Sequence, residues 1–370
     1  MVNRDRLVDE FLQLVRIDSL SLKEGQMCEA LKKKLQELGY SPVEDDAGQK
    51  LGGECGNIIC TVKGNKDVPA VLVTAHMDTV VPGIGKKPVV EGDIIKSDGT
   101  TILGGDDVAG IAVILETLKV LKEQSIEHGD IQIAFTIGEE IGLLGAKNLD
   151  FSQIYAKYGF ILDSDGNIGS AAVKAPAQNK IHAVIKGKAA HAGMEPEKGI
   201  SAFSIMADAI TSMKLGRIDE ETTANIGIIH GGMATNIVCD RVELSCEARS
   251  RDASKLEAQT QHMRKCFEEA AAKWGGQVDF KAEIEYPAFN IDTDSDIIRI
   301  IQKAASDSGF QFEAITTGGG SDTNIINSKG IQAVDLSIGM TKVHSVNEQI
   351  SITDMEDSVK FLISILKNIR

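Results

Sequence analysis

The chain reads as an α/β protein: a mixed, mostly parallel sheet flanked by helices, with a smaller α+β unit inserted. Three observations carry this expectation. Apolar runs at 57–62, 71–75, 131–137 and 158–162 are interleaved with a strong helical pattern over 108–123, and strand, helix, strand is the signature of a parallel sheet. Near Ala175 the texture changes to a second series of strands and helices. The 370 residues are also enough for two domains of ordinary size.

Taken in order, Leu7, Val8, Phe11, Leu12 and Val15 fall at helical spacing over 4–15, and a second helix from about Lys23 stops at Gly39. The four strands and the 108–123 helix follow. Beyond Ala175, "NKIHAVIKG" is a strand, "SAFSIMADAITSMK" a helix, and "TANIGIIHGG" and "NIVCDRVELSCEARS" two strands. A long amphipathic helix over 252–273 and the strand "GGQVDFKAEIEYP" complete a β-α-β-β-α-β order, the split βαβ or ferredoxin-like arrangement. A helix over 294–308 and the strand "GIQAVDLSIG" come next. Thr353 with Glu356 forms a capping box for the last helix. The expected division is 1–176, an inserted 177–287, and 288–370.

Composition narrows the partners. A formal net charge of -15 and a pI near 5.0 repel phosphate backbones and anionic lipid, so nucleic acid is not expected. No apolar run approaches the roughly 20 residues of a membrane span, and "MVNRDRLVDEF" is charged and amphipathic, unlike a secretory signal. A cytoplasmic location without membrane attachment is expected. The six cysteines form no C-x-x-C pair and read as free thiols.

In open parallel sheets ligands bind beyond the carboxyl ends of the strands. Those ends carry His76 and Asp78, then Glu139 and Glu140, then Asp163; "LGGDDVAG" before the 108–123 helix adds Asp106 and Asp107, and "TKVHSVNE" adds His344. Carboxylates gathered at one rim repel one another unless a cation sits among them. Imidazole with carboxylate oxygen suits zinc, manganese or cobalt, and no cysteine lies in these loops. The donors exceed what one catalytic metal uses, so two divalent ions are expected, bridged by a carboxylate and a water. Of the adjacent Glu139 and Glu140, either could face the metals.

"TAHMDTV", "GGDDVAG", "GEEIGLLGA", "LDSDG" and "VHSVNE", in this order with a domain inserted before the last, resemble the cocatalytic-metal peptidases that include peptidase T, glutamate carboxypeptidase and the aminoacylases. "AAHAGMEPEKG" and "GEEIGLLGA" look closest to the peptidase T branch, which are tripeptide aminopeptidases. The resemblance spans essentially the whole chain. It implies a zinc-exopeptidase fold with an inserted lid and dimerisation domain, and therefore a homodimer. It also implies that His76 and Asp163 hold one metal, that Glu140 and His344 hold the other, and that Asp106 bridges both ahead of a cis peptide bond to Asp107. Asp78 then orients His76 from behind. Glu139 becomes the general base, taking a proton from a water shared by two metals, expected to be zinc, so that it attacks the carbonyl of a short peptide. His191 matches the lid histidine that stabilises the oxyanion. Asn236, Arg249, Gly319 and Gly320 line the substrate site, Arg249 by pairing its planar fork with a carboxylate. Peptidase T has an arginine before this glycine pair where the present chain has Thr317 and Gly318, a departure that leaves tripeptide specificity open.

His128, His182, His230 and His262 are expected to be packed or surface histidines, and Asp98, Asp107, Asp165 and Asp322 to cap turns. A dinucleotide site is disfavoured, because "GGDDVAG" lacks the G-x-G-x-x-G spacing and puts two acids where anions would sit. Two rivals stand beside the peptidase: an N-acyl amino acid amidohydrolase or carboxypeptidase on the same scaffold, and a metal-binding or peptide-binding module without turnover.

Overall fold

Four strands lie parallel, in the order Ile131–Thr136, Val71–His76, Tyr158–Asp165 and Gln332–Thr341; three come from those apolar runs and the last from "GIQAVDLSIG", while the 57–62 run joins antiparallel. Val71–His76 and Ile131–Thr136 are buried at every position, which is why they read as continuous apolar runs rather than alternating ones. In the computed structural model, which describes residues 2–370, register runs from Val71 opposite Ile131 to His76 opposite Thr136, and Thr74 lies opposite Ile161. The carboxyl ends of these strands therefore share one edge. Antiparallel strands extend the sheet on both sides: Ile58–Val62 beyond Ile131–Thr136, and Gln349–Ser351, Ile94–Lys96 and Val89–Glu91 beyond Gln332–Thr341. The sheet is mixed, as the sequence predicts. The hairpin over 89–96 has strands of only three residues and was not legible.

Helix Gly105–Glu123 packs on strand Val71–His76 and against helices Arg4–Val15 and Ile352–Asn368. It is buried along nearly its whole length. Mid-helix, the buried Glu116 receives the Arg6 fork at 2.7 and 2.8 Å, a charge-assisted pairing that makes the burial tolerable. The last helix starts earlier than the expected capping box. Ser351, ending a strand, accepts from the Asp354 N–H at 3.1 Å and is the cap. Thr353 instead donates to Asp93, and Glu356 pairs with Arg4 and Lys360.

The chain divides into two compact units. One takes the residues up to Lys174 with Asn290–Thr317 and Ser321–Arg370; the other takes Ala175–Phe289 with Gly318–Gly320. In the second unit, strands Thr222–Gly231, Arg241–Ser250, Ala177–Lys186 and Gln277–Tyr286 form an antiparallel sheet in that order. Helices Ala202–Ser212 and Ala253–Trp274 complete its β-α-β-β-α-β order. Strand Arg241–Ser250 alternates strictly, burying Val242, Leu244, Cys246, Ala248 and Ser250, as a sheet with one face on a core must. Ile181, Ile185, Leu244, Met263 and Phe267 are central to that core.

Candidate functional site

His76 ends its strand with the side chain buried. Its Nδ1 lies 2.9 Å from the main-chain carbonyl of Asp78, which can only accept, so Nδ1 carries a proton. Its Nε2 faces Asp106 Oδ1 at 2.9 Å and Asp163 Oδ1 at 3.5 Å. Asp163 reaches this place by register, two residues beyond Ile161, which lies opposite Thr74.

Asp106 and Asp107 begin helix Gly105–Glu123 with non-helical backbone, and the peptide between them is cis. The two oxygens of Asp106 diverge, Oδ1 toward His76 and Oδ2 toward His344 Nε2 at 3.3 Å. Asp107 points elsewhere. Its Oδ1 accepts from Gly110 N–H and its Oδ2 from His76 N–H, each at 3.1 Å, so both oxygens are engaged by main chain.

Of the two adjacent glutamates, Glu140 is the one that meets His344. Glu140 sets its oxygens 2.9 and 3.1 Å from His344 Nε2, while Glu139 is buried beside it. Asp78 fixes this turn. Its Oδ1 accepts from Glu139 N–H at 2.9 Å, and its Oδ2 from Glu140 N–H at 3.2 Å and from the Ser21 hydroxyl at 2.6 Å. The expected role behind His76 falls mainly to the Asp78 carbonyl, since the carboxylate is 3.5 Å from Nδ1. Two residues past the strand end, the main chain has turned under the imidazole and the side chain has turned toward the two glutamates.

The electrostatics describe a donor set short of positive charge. Burial opposes a charge on His76, yet Asp163, Asp106 and Asp78 together raise its imidazole well above 6.5. Hydrogen bonds to Asp106 and Glu140 push His344 up to about 10. Burial raises Glu139 and Asp163 well above the usual carboxylate range; for Asp106 burial acts the same way, but His344 and His76 overcome it and hold the carboxyl low. Each Nε2 thus faces carboxylate oxygens, an arrangement that suits a divalent cation in place of the proton. His76, Asp106 and Glu140 offer donor atoms within 4.8 Å of one another, and so do His76, Asp107 and Asp163.

The other sequence-predicted residues belong to the second unit. His191 is exposed; its Nδ1 accepts from Gly193 and Met194 N–H at 3.2 and 3.1 Å, which leaves the proton on Nε2. Asn236 stands beside it, its carbonyl accepting from Ala192 N–H at 3.0 Å. Arg249 directs its fork at Glu247, with bonds of 3.0 and 2.9 Å. Gly320 has a packing reason of its own, because a Cβ there would meet the Tyr286 ring at 2.3 Å. Gly319 lies between it and Gly318, beside which a Cβ would meet nothing within 4 Å.

Four polar residues that support the site escaped sequence reasoning. Ser21 holds Asp78; Glu24 accepts from Gly138 N–H at 2.9 Å; Asp335 accepts from Asp163 N–H at 3.0 Å; Glu348 accepts from Gly104 and Asp106 N–H. For Asp335 a signal existed, a carboxylate inside the mostly apolar "AVDLSIG". Asp322, expected as a turn cap, is instead buried and accepts from the Thr136 hydroxyl at 2.6 Å, and burial lifts its carboxyl to about 6. Ser321 is the cap there.

Residues 72–368 match the sequence pattern of peptidase family M20/M25/M40. The chain is 51% identical over 367 residues to the uncharacterized protein YqjE of Bacillus subtilis (strain 168), covering 99% of each. It is similar to the crystal structure of aminopeptidase PepT from Bacillus cereus, with a TM-score of 0.89, 46% identity and 99% of each chain covered. It is also similar to that of a tripeptidase from Staphylococcus aureus, with a TM-score of 0.94, 44% identity, and 99% of this chain and 98% of that one covered. With a family pattern spanning most of its length and relatives this similar from end to end, the chain belongs to peptidase family M20/M25/M40.

Proposed function

We propose that this peptidase is a two-metal aminopeptidase acting on short peptides, with free tripeptides as its preferred substrates. One observation carries the two-metal part: the oxygens of Asp106 face His76 and His344, one each. On that geometry Asp106 is the shared ligand, His76 and Asp163 complete one site, and Glu140 and His344 the other. Zinc fits these donors best, with manganese or cobalt as alternatives. When bound, such a pair of ions makes water acidic and polarises a carbonyl.

The chain's own groups do the rest. Glu139, its main-chain N–H held by Asp78, takes the proton of the attacking water and returns it to the leaving amine. His191 presents Nε2–H as a donor to the oxyanion, a role supported by the two N–H bonds that fix its tautomer. Arg249 and Asn236 recognise the peptide, with the substrate carboxylate exchanging for Glu247 on the Arg249 fork. Gly319 and Gly320 let main chain approach the substrate.

The proposed partner is a second copy of the chain, joined through the second unit. Gly216–Arg217 pairs only with Thr223 and Ala224 on the outer side of strand Thr222–Gly231, and beyond them Ile228 and Ile229 are about half exposed; an edge of this kind is a template for pairing. Among the described residues no helix is long and apolar enough to cross a membrane, and the proposed location is the cytoplasm. Similarity to an aminopeptidase and a tripeptidase supports the substrate class.

The decisive experiment offers a free tripeptide, the same peptide amino-blocked, and an N-acyl amino acid to the wild type and to Glu139→Gln. The free tripeptide is consumed fastest, and the variant loses at least about 10³-fold in kcat while retaining two metals. Preferential hydrolysis of the blocked compounds overturns the aminopeptidase assignment. For His191→Ala the expected loss is about 10² in kcat, and a change confined to KM rules out the oxyanion role.

A further inference from the structure

Glu348 is almost fully buried, at 1% exposure, and its carboxylate spans two main-chain donors far away in sequence. Oε2 accepts from Gly104 N–H at 2.8 Å and Oε1 from Asp106 N–H at 3.0 Å. These donors open helix Gly105–Glu123, whose own cap position is Gly104 and brings no side chain. The glycine pair makes the approach possible. Gly104 sits at φ 78°, which favours glycine, and a Cβ on Gly105 would stand 3.1 Å from Glu348 Oε1.

At its other end Glu348 is tied to His344 through a short, internally bonded turn. Glu348 N–H donates to Ser345 carbonyl at 3.1 Å, the Ser345 hydroxyl donates to Lys342 carbonyl at 2.7 Å, and Asn347 N–H donates to that hydroxyl at 3.2 Å. The Glu348 carbonyl in turn accepts from Ser97 N–H at 3.1 Å. His344 itself has little packing to place it: its φ is 59° and its side chain is 53% exposed.

We propose that Glu348 is a positioning residue that fixes the span between Asp106 and His344, and so sets the affinity for the metal held by Glu140 and His344. The proposal rests on the two-metal assignment above. One carboxylate locates Asp106 through its own N–H, while the turn that carries this carboxylate locates His344. Loosening Glu348 lets these two ligands drift apart, whereas His76 and Asp163 keep their places from strand register. Groups that orient metal ligands from behind typically govern metal affinity by 10- to 100-fold.

The test uses the full-length protein, stripped of metal by a chelator and titrated with Co²⁺ alone. Binding is followed by calorimetry and by the visible absorption of the bound ion, with the melting temperature of the metal-free protein measured alongside. Wild type binds two ions. Glu348→Gln and Glu348→Asp bind one ion within about threefold of wild type and the other at least about tenfold more weakly. Adding His344→Ala to either leaves the remaining ion unchanged, because the lost site is the same. Two unchanged affinities overturn the proposal, and so does equal weakening of both in step with a lowered metal-free melting temperature. Glu348→Asp behaving as wild type while Glu348→Gln does not also overturns it, since charge alone would then suffice. Should Glu348→Gln not fold, Glu348→Asp is judged by the same criteria; unfolding of both overturns the proposal. A wild type that takes fewer than two ions instead fails the two-metal assignment itself.

Discussion

His76 closes a fully buried strand, with its side chain 2% exposed and its Nδ1 against the Asp78 carbonyl, whereas His344 occupies a turn at φ 59° with its side chain 53% exposed. Both point Nε2 at the same carboxylate, Asp106. The first imidazole is placed by the sheet, because Val71 to Thr74 are fixed by ladder register on both sides and Ala75 and His76 on one. The second is placed by a few hydrogen bonds in a loop. One half of the site is therefore part of the core, and the other is an attachment to it that can move without disturbing the fold.

This contrast predicts its largest consequence in the metal-free protein. In His76→Ala the carboxylates of Asp106, Asp163 and Asp78 remain buried without the cation that faces them, and loss of one partner from such a group costs about 3 kcal/mol or more. His344→Ala opens toward solvent, where screening keeps the cost below about 1 kcal/mol. Urea unfolding of both variants in excess chelator measures the pair of values. Equal destabilisation would break the distinction between a core half and an attached half.

The same contrast explains what was legible in the sequence. The strand ends bearing His76, Glu139 and Asp163 announced themselves, because a buried parallel strand is a run of apolar residues and whatever follows it must emerge at the rim. The order β-α-β-β-α-β was equally legible from alternation and turn residues. Long-range hydrogen bonds left no such trace. Ser21 reaches Asp78 across 57 residues of sequence and Glu348 reaches Gly104 across 244, and neither has a spacing that pattern reasoning can read. The resemblance puts Asp78 behind His76, but its place in the chain fixes only its main chain; where its carboxylate turns depends on donors from residues 139 and 140. Arg249 is the opposite case, since its partner Glu247 lies two residues away on the same strand face, a spacing that strand alternation makes readable.

Lys86 allows the support beneath the Asp106 turn to be probed by pH. Its ammonium is buried, donates to the carbonyls of Ile17 and Gly83 at 2.9 and 3.2 Å, and packs where a Cβ on Gly104 would fall. Burial pushes it down from 10.5 to about 8, outweighing Asp18 and Glu348. Between pH 8 and 10.5 the unfolded chain keeps a proton that the folded chain has released, so stability contributed by this group rises with pH across that window and is lost as pH falls through 8. Relative to Lys86→Met, wild type is expected to gain about 3 kcal/mol over this range. A stability difference that stays flat with pH would show that the amine is not desolvated beneath the turn.

The smallest effect tests how over-determined the core half is. Asp78 accepts three hydrogen bonds, from Ser21, Glu139 and Glu140. Ser21→Ala removes only the hydroxyl. A hydrogen bond to a carboxylate contributes about 1.5 kcal/mol, and the expected loss of stability is of that size. Because the two N–H bonds that aim Glu139 and Glu140 do not pass through Ser21, kcat should fall by less than about threefold. If the fall instead approached that of Glu139→Gln, the Glu139–Glu140 turn would depend on a single hydroxyl at the surface of the network. The buried half of the site would then be as loosely held as His344.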